Sequence, residues 1–237
     1  MTDDLALVGE HTRLLVETTR NLADPRAPSL CEGWTRGHVV THVARNAEAL
    51  GRLADWAVTG TPQEMYPGGT EARDRAIDEG AGRGAAELAA DLVETAAALA
   101  PRLEALTGPL LTEDVEMRGG FRVASSRLPF LRLREVVYHH VDLHAGFGFD
   151  YVDGELLCRF VDDAASRLGM GSHPPAVELV SDEGERWTVG AGTTTVAGTR
   201  AGLLLWLARR IPDGVRLESA GTRVAGTGHL PSLPRGA

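Results

Sequence analysis

The sequence has 237 residues, of which 43% are hydrophobic and 24% charged, a composition typical of a soluble globular protein with one large or two small domains. The net charge of −9 at pH 7 argues against nucleic acid as the main partner, and no apolar run is long enough to cross a membrane. All 24 basic residues are arginines, which excludes chemistry that needs a Schiff-base or P-loop lysine.

The cellular compartment follows from the N-terminus and the cysteines. The first residues, Met1-Thr2-Asp3-Asp4, are acidic and lack the basic and apolar regions of a signal peptide, so we expect a cytoplasmic protein. Cys31 and Cys158 are far apart, and free thiols are the expectation in that compartment. Cys158 fits a buried helical position, whereas Cys31 could be a plain thiol, a nucleophile or a metal ligand.

The first half of the chain predicts helices. Apolar residues at the helical period indicate a first helix over 5–22 and a second over 36–58. Thr35 is a suitable N-cap for the second helix. His42 borders the apolar stripe of that helix, so it can point into a crevice between helices, although a lone histidine there is commonly just a hydrogen-bonded one.

The region between residues 60 and 145 contains loops and two more helices. Residues 60–69 predict a loop, and the polar stretch before Gly84 a short helical turn. A third helix begins at 83 or 85 and ends near 106, and residues 110–123 are either irregular or a hairpin. The fourth helix begins near Pro129, which suits a first-turn position, and ends before Gly146.

After residue 150 the pattern changes to short β-branched runs between two helices. We predict helices over 154–168 and 201–210, and strands over 176–180, 186–189, 193–197 and 215–219. The predicted fold class is therefore α+β with two domains. Residues 1–150 form a four-helix, metal-binding bundle, and residues 151–237 form a small α/β domain.

The fourth helix carries the groups that suggest chemistry. Glu135 and His139 are four residues apart, so they share one helical face, and Asp142 lies on the same side one turn further. A carboxylate and an imidazole form part of a zinc site, and we expect His42 to supply the missing ligand. The alternative is that Arg132, Glu135, His139 and Asp142 form only the solvated face of an amphipathic helix.

The chain also resembles a known family, the mycothiol-dependent maleylpyruvate isomerases. The resemblance rests on several short stretches of sequence. They are Gly33-Trp34-Thr35-Arg36, His42-Val43-Ala44-x-Asn46-Ala47, Arg134-Glu135-Val136 with His139-x-Val141-Asp142-Leu143, Ala201-Gly202 with Arg210 and Asp213-Gly214-Val215, and Gly228-x-Leu230-Pro231. It covers nearly the whole chain and is specific as a set.

The resemblance implies a fold and a chemistry. That family has a DinB-like four-helix bundle followed by a small α/β domain. Its zinc ligands fall on His42, Glu135 and His139, and its functional arginine falls on Arg210, although a one-residue slip would select Arg209. The implied cofactors are Zn²⁺ and mycothiol. The implied reaction converts maleylpyruvate to fumarylpyruvate through reversible addition of the thiol to the double bond, and Arg210 would bind a substrate carboxylate or stabilise an enolate.

Two other functions fit the same residues. A related zinc enzyme could transfer mycothiol permanently to an electrophile, and a non-enzymatic module could bind a ligand through the metal. In each case we expect a small-molecule partner, no nucleic acid or membrane partner, and a monomer.

Overall fold

The computed structural model of the protein describes residues 2–219, 222–224 and 230–234. Gly228, which belongs to one of the family-like stretches, lies outside these residues. The chain divides into two compact units, residues 1–145 and 146–237. The first unit is helical and the second combines helices with a sheet, so the predicted α+β class is confirmed. The predicted domain boundary after residue 150 stays a prediction.

The first unit contains five α-helices and a short hairpin among its described residues. The helices are α1 (Thr2–Arg20), α2 (Arg36–Thr59), α3 (Gly69–Ala81), α4 (Ala85–Ala105) and α5 (Leu128–Asp142), and the hairpin consists of β1 (Asp114–Glu116) and β2 (Arg122–Ala124). Helices α1, α2, α4 and α5 pack on one another and enclose a core that includes the fully buried Leu15, Val43, Leu92 and Val136. They correspond to the four predicted helices.

Helix α2 begins and ends as the sequence predicts. The Thr35 hydroxyl accepts a hydrogen bond from the His38 backbone N–H, and His38 Nδ1 accepts one from the Thr35 backbone N–H. These two bonds satisfy donors that a helix N-terminus otherwise leaves unpaired. Gly60 ends the helix in the left-handed region, with φ of 71°.

Helix α3 corrects the prediction of a short helical turn before Gly84. It spans 13 residues and packs against α2. Two glycines allow the close approach, because a Cβ at Gly37 of α2 would overlap the Ala81 carbonyl and a Cβ at Gly80 of α3 would overlap the Thr41 side chain. The position of α3 therefore depends on both glycines having no side chain.

The second unit contains two helices and a sheet. The helices are α6 (Gly154–Gly169) and α7 (Arg200–Arg209), and the strands are β3 (Val177–Ser181), β4 (Arg186–Val189), β5 (Thr194–Gly198), β6 (Val215–Ser219) and β7 (Thr222–Val224). In the described residues the sheet order is β4-β3-β5-β6-β7, with β3 and β5 parallel and the other pairs antiparallel. Strand β7 was not predicted. Over the described residues, no helix combines the length and the apolar character that a membrane span needs.

Candidate metal centre

Three of the side chains singled out in the sequence lie together in the first unit. His42 projects from α2, and Glu135 and His139 project from successive turns of α5. His42 Nε2 lies 3.2 Å from Glu135 Oε2, and His139 Nε2 lies 3.6 Å from the same oxygen. The two imidazole rings are 4.6 Å apart between centroids and nearly perpendicular. One ligand atom from each residue falls within 4.8 Å of the others, a spacing that could hold a metal ion.

The alternative of a solvated helix face does not describe α5. Arg132 and Asp142 are buried, with 1% and 0% of their surfaces exposed. The Glu135 and His139 side chains are only partly accessible, at 24% and 13%. Carboxylates and imidazoles buried to this extent need polar partners, and here they are partners of one another.

The buried Asp142 carboxylate contacts the His139 ring nitrogen that is not directed at Glu135. Asp142 Oδ2 lies 2.7 Å from His139 Nδ1, so a proton on Nδ1 leaves Nε2 free to bind a cation. The Cys31 thiol donates to the same carboxylate oxygen over 3.2 Å, and the Leu30 backbone N–H donates to the Asp142 carbonyl over 2.9 Å. Cys31, His139 and Asp142 also have ligand atoms within 4.8 Å of one another, so the thiol remains a possible ligand as well as a support.

The three groups perturb one another's protonation. Burial lowers the pKa of His42 to about 4, so this imidazole is neutral at pH 7. Burial alone would raise the pKa of Glu135, but hydrogen bonds from His139 and His42 hold it well below the ordinary value. Burial would lower the pKa of His139, but hydrogen bonds to Asp142, Cys31 and Glu135 raise it well above 6.5. An ionised carboxylate and a neutral imidazole are the forms that bind a metal, whereas His139 must first lose a proton.

A cavity of about 310 Å³ opens onto His42, Glu135 and His139. Three arginines, Arg73, Arg118 and Arg134, contribute to its lining. Guanidinium groups bind carboxylates in bidentate fashion, so the cavity suits an anionic small molecule beside a cation.

Sequence reasoning missed Arg73, although its side chain contacts the site directly. Its Nη2 lies 3.1 Å from His42 Nδ1, and its guanidinium carbon lies 5.8 Å and 5.7 Å from the ring centroids of Trp34 and Tyr66. The i,i+4 spacing that relates Glu135 to His139 applies only within one helix, so it gives no signal for Arg73 on α3. Arg73 also lies on α3, whose first residue follows an N-cap without a side-chain hydrogen bond.

Arg210 lies in the second unit, immediately after α7. Its backbone is left-handed, with φ of 64°, and its N–H donates to the Trp206 carbonyl over 2.9 Å. Its guanidinium donates to the carbonyls of Leu207 and Pro234. Burial, followed by the neighbouring charges of Arg209 and Arg167, lowers its pKa. Non-glycine residues in this backbone region are uncommon and occur often at functional positions.

Comparisons with known proteins give consistent results. Residues 5–144 match the family described as the mycothiol maleylpyruvate isomerase N-terminal domain. The whole chain resembles a crystal structure of a mycothiol-dependent maleylpyruvate isomerase, with 28% identity, a TM-score of 0.86, and coverage of 98% of this chain and 95% of that one. A histidine-to-alanine variant, described in the same terms, matches with 27% identity and the same TM-score and coverage. No protein with curated function matched the sequence.

Proposed function

The chain belongs to the mycothiol maleylpyruvate isomerase family, and from this premise we propose that it is a zinc- and mycothiol-dependent enzyme that isomerises maleylpyruvate to fumarylpyruvate. The observation that carries the proposal is the convergence of His42, Glu135 and His139 beside a cavity lined by arginines.

The donor set fits zinc. Two imidazole nitrogens and one carboxylate oxygen are the ligands of many catalytic zinc sites, which keep a fourth position open. Glu135 is held in its ionised form and Asp142 fixes the orientation of the His139 ring, so neither group has to be rearranged to bind a cation. We assign His42, Glu135 and His139 as the ligands and Asp142 as the residue that positions His139.

The open zinc position would hold mycothiol as a thiolate, which adds reversibly to the substrate double bond and so gives a single bond that can rotate. The role of the chain's own residues is to bind, orient and shield. Arg118 and Arg134 line the cavity, where they would bind the carboxylates of an unsaturated diacid. Leu50, Met65 and Leu131 form apolar parts of the same wall and would limit the access of water to the reacting carbon atoms.

The role of Arg210 remains a proposal that comes from the family resemblance. We assign it to a substrate carboxylate or to the negative charge that develops on the substrate during thiol addition. Its guanidinium already donates to two backbone carbonyls, so binding an anion would require those bonds to be exchanged. Arg209, the last residue of α7, is the alternative.

We also propose that the enzyme acts in the cytoplasm as a monomer. Both cysteines are free thiols, which agrees with a reducing compartment. The acidic net charge of −9 fits a protein that acts on small molecules and not on nucleic acid.

Substitution of His42 tests the proposal. His42→Ala should remove bound zinc and lower mycothiol-dependent turnover of maleylpyruvate by at least about 100-fold, because two ligands hold zinc poorly. His38→Gln is the matched control, since His38 lies one turn earlier on α2 and contacts Thr35 and Asp78 instead of the metal centre, and a glutamine can still accept from the Thr35 backbone N–H. Zinc is measured by elemental analysis and turnover by absorbance, with and without mycothiol.

The products separate the remaining functions. An isomerase releases fumarylpyruvate without sulfur, whereas a transferase leaves sulfur on the product, which mass spectrometry detects. Full turnover in zinc-free protein, or zinc binding without any thiol-dependent turnover, would refute the proposed isomerase.

A further inference from the structure

Arg73 is held against the metal centre on three sides. Its side chain is 11% exposed and lies against the rings of Trp34 and Tyr66, which provide cation–π contacts. Its Nη1 donates to Asp74 Oδ1 over 2.6 Å, and its Nη2 lies 3.1 Å from His42 Nδ1. Its Nε is buried and has no hydrogen-bond partner among the described residues.

The contacts of His42 define one tautomer. A guanidinium has only donors, so Arg73 donates to Nδ1 and this nitrogen must accept. The ring proton is then on Nε2, where it is directed at the Glu135 carboxylate 3.2 Å away. Each nitrogen therefore has a suitable partner, and a neutral imidazole satisfies both.

A metal ligand requires the other tautomer. When Nε2 binds a cation, it gives up its proton, and a neutral imidazole then carries its single proton on Nδ1. One proton leaves Nε2 and one is taken up at Nδ1, so the ring remains neutral. Nδ1–H and the Arg73 N–H would then be two donors directed at each other, and their hydrogen bond cannot persist.

We propose that Arg73 exchanges partners when the metal binds: its guanidinium leaves His42 Nδ1 and binds a carboxylate of the substrate instead. This inference rests on the proposed function and adds a binding residue to it. Arg73 lines the same cavity as Arg118 and Arg134, so a small rotation of its side chain presents the guanidinium to a bound anion. The substrate class is an unsaturated acid with at least one carboxylate near the metal.

The exchange predicts that Arg73 competes with the metal. In the wild-type protein, zinc must displace a hydrogen bond from a charged donor, and the Arg73→Met variant has no such bond to displace. The zinc Kd of Arg73→Met, measured by competition with a chromophoric chelator, should be lower than that of the wild type by about tenfold, which corresponds to about 1.4 kcal/mol.

Two controls separate this exchange from simple charge repulsion. Arg118→Met removes one positive charge from the same cavity without removing a contact to His42, and its zinc Kd should change much less. Arg75→Met removes an exposed arginine from the same helix, and we expect no change in zinc Kd or turnover.

Arg73→Gln is a second variant, in case Arg73→Met does not fold. Glutamine keeps a polar side chain at the position and can either donate or accept a hydrogen bond, so the zinc Kd of this variant should fall as well.

Two further measurements follow the exchange directly. In ¹⁵N spectra of histidine-labelled protein, His42 Nδ1 should be an unprotonated acceptor without zinc and should carry the proton with zinc. With saturating zinc and mycothiol, Arg73→Met should raise the KM for maleylpyruvate by about tenfold and change kcat by much less, and Arg73→Lys should recover part of the loss.

The outcomes for this inference and for the proposed function are distinguishable. Equal effects of Arg73→Met and Arg118→Met on zinc affinity, or a proton that stays on Nε2 in the zinc-loaded protein, would overturn the exchange and leave the isomerase intact. Zinc binding with the predicted Arg73 dependence but without turnover would overturn the isomerase and support the release of Arg73 from His42. A wild-type protein that binds no zinc would overturn both.

Discussion

His139 and His140 are consecutive residues of α5, yet their hydrogen-bond partners differ. The His139 ring lies against that of His42 in α2, and its two nitrogens lie 2.7 Å from Asp142 Oδ2 and 3.6 Å from Glu135 Oε2, both on α5. His140 faces α1, where the Thr18 hydroxyl lies 2.7 Å from its Nε2. Hydrogen bonds to carboxylates outweigh burial and raise the pKa of His139 well above 6.5, whereas burial lowers the pKa of His140 to about 4.

The comparison shows what distinguishes a candidate metal ligand from other buried histidines. Both rings are shielded from water, so burial alone does not separate them. The difference lies in the partners, because two carboxylates on the same helix face surround His139 and a neutral hydroxyl meets His140. A histidine flanked by acids at i−4 and i+3 is therefore a stronger candidate for metal binding than its neighbour one residue later.

The largest expected effect on zinc binding and turnover comes from substituting His139 and, separately, His140. His139→Ala should abolish zinc binding and lower turnover by at least about 100-fold, since it removes a ligand. His140→Gln should keep both, because its side chain can still bond to Thr18 and contributes no ligand. Zinc content and thiol-dependent turnover are measured on both variants. Loss of zinc from His140→Gln, with thermal unfolding unchanged, would contradict the assignment of separate roles.

The next largest effect concerns the stability of the zinc-free protein in acid. The pKa of His140 is about 4 in the folded protein and near 6.5 in the unfolded chain, so the unfolded chain binds an extra proton between these values. The stability that this neutral ring contributes is present above pH 6.5 and is lost as the pH falls towards 4, by about 3 kcal/mol in total. Urea unfolding at several pH values gives the free energy of unfolding.

The control for this measurement is His140→Gln. Its free energy of unfolding should fall less steeply than that of the wild type between pH 6.5 and 4, because the substituted side chain does not titrate. Identical pH dependence in the two proteins would mean that His140 is protonated in the folded state, which contradicts the difference from His139.

The smallest expected effect concerns the support behind His139. Asp142→Asn keeps the size of the side chain but replaces the carboxylate that accepts from His139 Nδ1. Zinc affinity should fall by about 10- to 100-fold with the fold retained, as for other residues that orient a metal-bound histidine. Asp163→Asn, in the second unit, is a control for a buried acid that pairs with an arginine. Unchanged zinc affinity in Asp142→Asn would show that Glu135 alone defines the orientation of His139.

The sequence predicted the parts of the site that depend on regular helix geometry. The spacing of Glu135, His139 and Asp142 indicated a shared face because i, i+3 and i+4 positions adjoin on any helix. Thr35 indicated the start of α2, which fixes the rotation of His42 around that helix. His42, Glu135 and His139 have ligand atoms within 4.8 Å of one another, and their role as metal ligands stays a prediction.

The missed features depend on tertiary contacts. Helix α3 is mostly polar, with only Ile77 and Ala81 buried, so it has too weak an apolar stripe to be recognised as a full helix. Arg73 lies on this helix, so the weak apolar pattern gives no signal for it. Strand β7 is three residues long and pairs with β6, and so short a run has no distinctive pattern in the sequence.

Two glycines determine how closely Arg73 approaches His42. Gly37 and Gly80 allow α3 to lie directly against α2, and α3 carries the guanidinium that meets His42 from the side opposite Glu135. An alanine at either glycine would push the helices apart and lengthen that contact, although neither position bears a charge or a ligand. Two backbone positions without reactive groups can therefore change the surroundings of the candidate metal ligand His42.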